Sequence, residues 1–332
     1  MAGSKTWGTT GLLSTTLEKY LEKRFQEQIF TSRVLLWILQ SSGRILNADG
    51  GVSLLEPILT DEAPNVGSYA DYDVFATDPN KGFGMAEFNW RQFYGLIHIS
   101  GIEQAMNMGE AAIIHLLSSR VQQLEETMSE TINKQLFSNG AGNSGKDFDG
   151  LALLIDAAST VGGIDRTTDT YWQSQVQDGD GLTAGLIAAM RTMYNDCSEG
   201  NDHPTNLLTV QGVYEQYENL LQPQIRYTDT KMADAGFQNL LFKGAPIAWD
   251  RFADFGFTDQ SVATAENPIW FLNMKYLALR KLANVWFKAG DLLQPTNQDA
   301  FYKNIRCYGN MTTSYPKRNG VLYSADLITE PA

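Results

Sequence analysis

One helical periodicity runs unbroken through the middle of the sequence and constrains the fold more than any other feature. Apolar residues recur at spacings of three or four from Ile113 to Leu136, and polar side chains occupy the other faces. The pattern predicts a helix over residues 111–137, on the order of 35 Å long. Asn139 and Gly140 follow it and suit the left-handed conformation that commonly ends helices.

The loop after this helix contains a spacing found in nucleotide-binding proteins. Gly140, Gly145 and Lys146 match the G-x-x-x-x-G-K pattern of a phosphate-binding loop. Such a loop also needs a strand before it and a Ser or Thr after the lysine, where Asp147 stands instead. We interpret the segment as a polar loop that ends the helix, and keep a nucleotide-binding enzyme as the less favoured alternative.

Two extended, aromatic-rich runs precede the helix. "YADYDVFA" and "GMAEFNWRQFYGLIHIS" are separated by the turn residues of "TDPNKG", which predicts a long hairpin over about residues 69–99. A single strand over 85–99 would extend on the order of 50 Å, well beyond the usual strand length. Because aromatic side chains lie on both faces, the hairpin cannot bury itself and needs a partner surface.

The remaining elements predict an α+β chain. A capping-box spacing introduces an amphipathic helix at about residues 15–30. Beyond residue 147, short helices near 183–195 and 212–221 alternate with the strand patterns "NLLTV", "APIAWD" and "NPIWFLNMKYLAL". A last extended run, "QDAFYKNIRCYGNMTTSY", is too far from the first strands to be a local hairpin partner.

Composition excludes several function classes. The 332 residues carry a formal charge of −13, which argues against affinity for nucleic-acid phosphates or an anionic membrane. The longest apolar run, residues 34–39, is too short to span a bilayer. Cys197 and Cys307 match no metal or redox spacing, so we expect free thiols and a cytoplasmic protein.

No cluster of residues suggests catalysis. The three histidines lie outside any triad pattern, and the loop around Asp196, Glu199 and Asp202 lacks recurrent metal-ligand spacing. The adjacent charges Asp165 and Arg166 are typical of an ion pair or a solvated loop. We expect no catalytic, cofactor or metal site.

Taken in order, these landmarks resemble the major capsid protein of tailed bacteriophages, which has the Hong Kong 97-like fold. The matching segments are the arm helix, the hairpin, the long helix and the exit loop "LFSNGAGNSGKDFDGL", followed by "VGGIDRTTDTYW", "PTNLLTVQGVYEQYENL", "FKGAPIAWD" and the closing strands. The resemblance covers nearly the whole chain.

The resemblance implies a division of the chain into named parts. These are an N-terminal arm (1–47), an E-loop hairpin with a peripheral-domain strand (48–100), a peripheral domain with the spine helix (101–146), an axial domain (147–300) and a return to the peripheral domain (301–332).

It also implies self-assembly without enzymatic activity. Subunits of this kind form hexamers and pentamers of an icosahedral virion shell around double-stranded DNA, with portal, scaffold and decoration proteins as further partners and assembly in the host bacterial cytoplasm. Another phage or bacterial shell or ring protein is the main alternative. The expected assembly contacts, all in the E-loop, are Tyr72, Phe75, Lys81, Phe88, Trp90, Phe93 and Tyr94.

Overall fold

The computed structural model describes residues 33–60, 65–75, 82–102, 110–221, 240–258, 267–290 and 293–328. Its helices are α1 (Val34–Ser41), α2 (Glu110–Phe137), α3 (Leu151–Leu154), α4 (Leu186–Asp196), α5 (Gln211–Leu221) and α6 (Phe255–Thr258). The predicted arm helix at 15–30 lies outside the described residues.

Most of the strands form two sheets. Strands β1 to β7 are Ile45–Ala48, Leu54–Leu59, Phe83–Phe88, Arg91–Ser100, Thr160–Val161, Ile164–Asp165 and Gln175–Asp178. Strands β8 to β15 are Asn206–Thr209, Leu240–Phe242, Ala245–Trp249, Ile269–Leu272, Leu277–Leu282, Lys288–Ala289, Ala300–Thr313 and Gly320–Tyr323. The mixture of helices and sheets confirms the α+β class.

The two sheets interleave along the chain. One sheet has the order β1-β12-β14-β13, with β4 also paired to β14, and the other has the order β7-β15-β11-β8-β10-β9. Strands β12 and β13 therefore belong with β14 in the five-stranded sheet, while β15 returns to the six-stranded one. The change of sheet does not coincide with residue 300, where the resemblance places a domain boundary.

Helix α2 packs against the five-stranded sheet, as its apolar stripe requires. Val121, Met128 and Ile132 are buried on one side of the helix. Gly95 of β4 permits the close approach, since an added Cβ would collide with the Met128 sulfur. The predicted helix over 111–137 is confirmed to within a residue of its start.

The predicted hairpin is wrong in its first arm. The described part of "YADYDVFA", residues 69–75, forms no strand; it contains a turn, in which the Asp73 amide donates to the Ala70 carbonyl (3.0 Å). The predicted turn "TDPNKG" lies outside the described residues except for Gly82. The partner of β3 is instead β2, with Leu54 opposite Phe88 and Leu59 opposite Phe83. The segment "LLEPIL" does not have the pattern of a typical strand, because it contains Glu56 and Pro57 and because proline within a sheet is confined to edge strands.

The long second arm is two strands rather than one. Strand β3 ends at Phe88 and β4 begins at Arg91, where the chain leaves the ribbon for the five-stranded sheet. The break is held by side chains: Asn310 Nδ2 donates to the Asn89 carbonyl, and Trp90 Nε1 donates to the Gly51 carbonyl, each at 2.9 Å.

Candidate assembly surface

Exposed apolar side chains are concentrated in one stretch of the chain. In the described residues sixteen large apolar side chains are exposed, and thirteen of them lie between Val52 and Ile102. Isolated exposed apolar residues are normal on a protein surface, but a contiguous set marks an interaction site. This stretch is therefore the candidate site.

The β2–β3 ribbon has two apolar faces and only one is covered. On the covered face Leu54, Ile58 and Phe88 are buried. The opposite face, here called the ribbon face, is defined by Leu55, Leu59, Phe83 and Met85, all exposed. Because strand residues alternate between faces, the register puts these four side chains together on the uncovered side.

A partly buried ion pair fixes the covered face to the rest of the subunit. Arg280 Nη2 on β12 lies 2.7 Å from Glu56 Oε2, and its Nε contacts the other carboxylate oxygen. Thr312 Oγ1 donates to Glu56 Oε1 at 2.7 Å. Gly162 also packs against Ala86, where an added Cβ would approach to 2.8 Å. The ribbon is thus presented on a rigid base.

A second exposed face lies on β4. Helix α2 covers one side of this strand, and the side chains on the other side, Gln92, Tyr94, Leu96 and His98, are exposed. Tyr94 is paired with Arg306 of β14, which pairs in turn with Lys288 of β13. This face, here called the sheet face, combines aromatic, aliphatic and cationic groups.

The segment between the two ribbon strands is acidic and aromatic. Residues 60–82 carry five acidic residues and one lysine. In its described part Tyr69 and Phe75 stack edge to face with ring centroids 5.0 Å apart, and Tyr72 is 98% exposed. Its opposite charge makes this segment complementary to the sheet face.

The sequence-predicted contact residues divide into three groups. Tyr72, Phe75 and Tyr94 are exposed, while Trp90 and Phe93 are half-buried. Phe88 is buried within the subunit, so its expected availability to a neighbour is wrong. Lys81 lies outside the described residues. The four ribbon-face residues were missed, although "LLEPIL" has apolar residues at both alternating positions.

The loop after α2 has the geometry of a helix C-terminus. A helix rather than a strand precedes it, and Asn143 and Ser144 adopt left-handed conformations. Gln135 Nε2 donates to Asp147 Oδ1 at 2.9 Å, and Lys146 is exposed. A phosphate-binding loop needs a strand-to-helix turn, so the geometry disfavours a nucleotide site here.

The other candidate groups have structural contacts. Arg166 is buried, not solvated, and it donates to backbone carbonyls, while Asp165 accepts from Thr167. Burial raises the pKa of both cysteine thiols, Cys197 and Cys307. Across the described ranges, no group of three or more His, Cys, Asp or Glu is arranged for a metal, and no helix is long and apolar enough to cross a membrane.

Comparison with known proteins identifies the fold. No family model matches the sequence, and a search of curated proteins finds no match. Among solved structures, the cyanophage A-1(L) capsid asymmetric unit aligns with a TM-score of 0.60 at 15% identity, covering 86% of this chain and 92% of that one. The capsid of Myoviridae phage XM1 aligns with a TM-score of 0.53 at 12% identity, covering 85% and 90%.

A third similar structure is an encapsulin. The SrpI encapsulin complex of Synechococcus elongatus PCC 7942 aligns with a TM-score of 0.54 at 8% identity, covering 86% of each chain. The class defined by these comparisons is the Hong Kong 97-like fold. More specifically, the chain has the fold of tailed-phage major capsid proteins.

Proposed function

We propose that this protein is the major capsid protein of a tailed bacteriophage and assembles into the hexamers and pentamers of an icosahedral shell around double-stranded DNA. The observation that carries the proposal is the uncovered ribbon face on a subunit with this fold. An enzymatic role is not part of the proposal, and the described residues offer no constellation for one.

The ribbon face supplies a driving force for association. Fully burying one Leu, Phe or Met side chain contributes roughly 1.5–3 kcal/mol. Leu55, Leu59, Phe83 and Met85 therefore contribute several kcal/mol once a neighbouring subunit covers them. The partly buried Glu56–Arg280 pair holds the ribbon in place beforehand, so little ordering entropy opposes docking.

Charge supports the DNA-enclosing part of the proposal. A shell protein with a formal charge of −13 does not bind phosphates tightly, which allows DNA to slide during packaging. Portal, scaffold and decoration proteins, assembly in the host bacterial cytoplasm and residence in the virion belong to the same proposal.

Charged substitutions on the ribbon face test it. Leu55→Glu and Phe83→Glu should abolish particle formation in sedimentation and electron microscopy while leaving the thermal transition within a few degrees of wild type. Leu327→Glu is the matched control, because Leu327 is 52% exposed and Leu55 is 51% exposed. Particle formation by both ribbon variants would contradict the proposal.

The similarity to an encapsulin favours one other function, a bacterial shell that does not carry a phage genome. The two functions differ in what the particles contain. Particles isolated from lysates of infected cells and treated with nuclease should release double-stranded DNA if the protein is a phage capsid. Protein cargo without DNA would support the alternative.

A further inference from the structure

Two segments of the chain cross side by side between the five-stranded and the six-stranded sheet. Residues 273–276 join β11 to β12, and residues 314–319 join β14 to β15. These are here called the first and second crossing segments. The Ser314 amide donates to the Tyr276 carbonyl at 3.0 Å, so the segments also contact each other.

The antiparallel pairing of β11 with β15 and of β12 with β14 changes register between the two sheets. Phe271 pairs with Gly320 on one side of the junction and Leu277 pairs with Thr313 on the other, leaving five residues between them on one strand and six on its partner. One extra residue is the feature of a β-bulge, which interrupts the ladder and bends it. Regular strand pairing therefore does not set the angle between the sheets at this point.

The second crossing segment also has spare hydrogen-bonding capacity. Arg318 Nε and Asn319 Nδ2 are buried and find no protein partner within the described ranges. Buried donors are nearly always paired in folded proteins. These two donors therefore contribute no hydrogen bond within the described part of the protein that would fix the second crossing segment.

A tight turn elsewhere in the chain contacts both crossing segments. Residues 199–202 connect α4 to β8, and the Glu199 and Asp202 backbones exchange hydrogen bonds of 2.8 and 3.0 Å. Gly200 supplies the positive φ of 59° that this two-residue turn needs. The turn holds the two carboxylates side by side.

Each carboxylate contacts a different crossing segment. Asp202 accepts from Asn273 Nδ2 at 2.9 Å and from the Tyr276 hydroxyl, and Lys275 Nζ lies 3.5 Å away. Glu199 forms an ion pair with Arg318 of the second segment.

We propose that the Glu199–Asp202 turn is a clamp that sets the angle between the two sheets, and that its loss lets the sheets adopt more than one relative orientation. The inference rests on one observation. Two adjacent carboxylates contact both crossing segments at the place where the strand ladder is interrupted. The proposal concerns the single subunit and does not depend on the proposed shell function.

The clamp is closed at neutral pH. Burial opposes ionisation of Asp202, but hydrogen bonds from Tyr276 and Asn273 outweigh it and lower the pKa of the carboxyl group. Asp202 therefore carries its charge at pH 7.

Distance measurements between spin labels test the clamp. Labels at Gln92→Cys on the five-stranded sheet and Asn219→Cys on α5 should give one narrow distance distribution by pulsed electron paramagnetic resonance. Both positions are exposed, while the native cysteines are buried. Labelled chain diluted into unlabelled chain removes signals between neighbours.

In this background, Glu199→Ala/Asp202→Ala should broaden the distribution or add a second maximum. Asp196→Ala is the matched control, an exposed carboxylate three residues away, and should change nothing. If the double variant fails to fold, Asp202→Ala alone is the deciding variant, since it removes every described contact of the turn's side chains with the first crossing segment. An unchanged distribution in the folded variant would overturn the proposal.

Discussion

At the scale of single residues, a buried arginine links three separate points of the backbone. Arg166 is fully buried and donates to three carbonyls, those of Leu153, Leu154 and Trp172, at 3.0, 2.6 and 3.0 Å. Burial lowers its pKa to about 10, so it stays charged at neutral pH. The sequence shows an arginine beside an aspartate and cannot show that the partners are carbonyls, because these lie in segments that only the folded chain brings together.

Arg166→Met should therefore destabilise the protein by about 3 kcal/mol, since it removes three hydrogen bonds to backbone carbonyls, of which, within the described residues, only the Leu154 carbonyl keeps another side-chain donor, Ser174 Oγ at 3.3 Å. Chemical denaturation measures the loss. Arg191→Met, which changes an exposed arginine, should stay within about 0.5 kcal/mol of wild type. Equal effects of the two substitutions would show that the Arg166 contacts carry no stability.

Asp250 links the six-stranded sheet to α2 and should make stability depend on pH. It accepts from Asn133 Nδ2 at 3.0 Å, and burial raises its pKa. The folded protein then holds this proton more tightly than the unfolded chain, whose Asp pKa is about 4. Stability should fall as the pH rises from there through the folded-state pKa.

Asp250→Asn should remove that loss and make the protein more stable at pH 7 than wild type. The new amide can also donate to Asn133 Oδ1, which has no partner within the described residues. Thermal melts between pH 4 and 7 check this, with exposed Asp326→Asn as the control. A variant less stable than wild type at pH 7 would contradict the assignment.

At the scale of elements, the exit of α2 depends on a close approach of backbone to backbone. An added Cβ at Gly150 would collide with the carbonyl oxygens of Ser138 and Gln135. Gly150→Ala should cost at least about 2 kcal/mol, because backbone must move. Gly212→Ala is the control: its Cβ would meet nothing within 4 Å in α5, so stability should stay or rise by up to about 1 kcal/mol.

The ribbon gives a second prediction at this scale. An expectation from the sequence alone is that residues 72–94 can be replaced by a short turn without unfolding the subunit. The structure changes it, because Ala86 and Phe88 are buried and β4 pairs with β14 over ten residues. Replacing 83–94 with a Gly/Ser linker should unfold the protein in a thermal melt.

Replacing only residues 66–75 should leave the melt unchanged and abolish particles, since their apolar side chains are exposed. Cooperative unfolding of the 83–94 replacement near the wild-type temperature would show that the ribbon is not part of the subunit core.

Elements with local signals were predictable and those with distant partners were not. The period of α2, the apolar run of β8 and the amphipathic pattern of α5 are all readable from neighbouring residues. By contrast, "NPIWFLNMKYLAL" reads as one strand but divides into β11 and β12 in different sheets. That division depends on β14 and β15, which lie some forty residues further along the chain.

The sequence predicts where the candidate site lies, but it predicts only some of the residues that form it. Aromatic side chains in an extended segment indicated an uncovered surface near residues 69–99. The residues of the ribbon face can be identified only from the register of β2 against β3. That register is not predictable from the sequence, because β2 contains a proline and does not have a typical strand pattern.

At the scale of the whole molecule, we propose that the subunit presents the apolar ribbon face to a second copy. The acidic segment 60–82 and the cationic sheet face are complementary in charge, so in this proposal each copy makes the same contact with the next. A heterologous contact of this kind closes into rings when its rotation permits.

A cryo-electron-microscopy map of particles formed by the purified protein tests this account most directly. We predict closed icosahedral shells of hexamers and pentamers in which a neighbouring subunit covers Leu55, Leu59, Phe83 and Met85. Open tubes, isolated rings or shells in which those four side chains face solvent would contradict it.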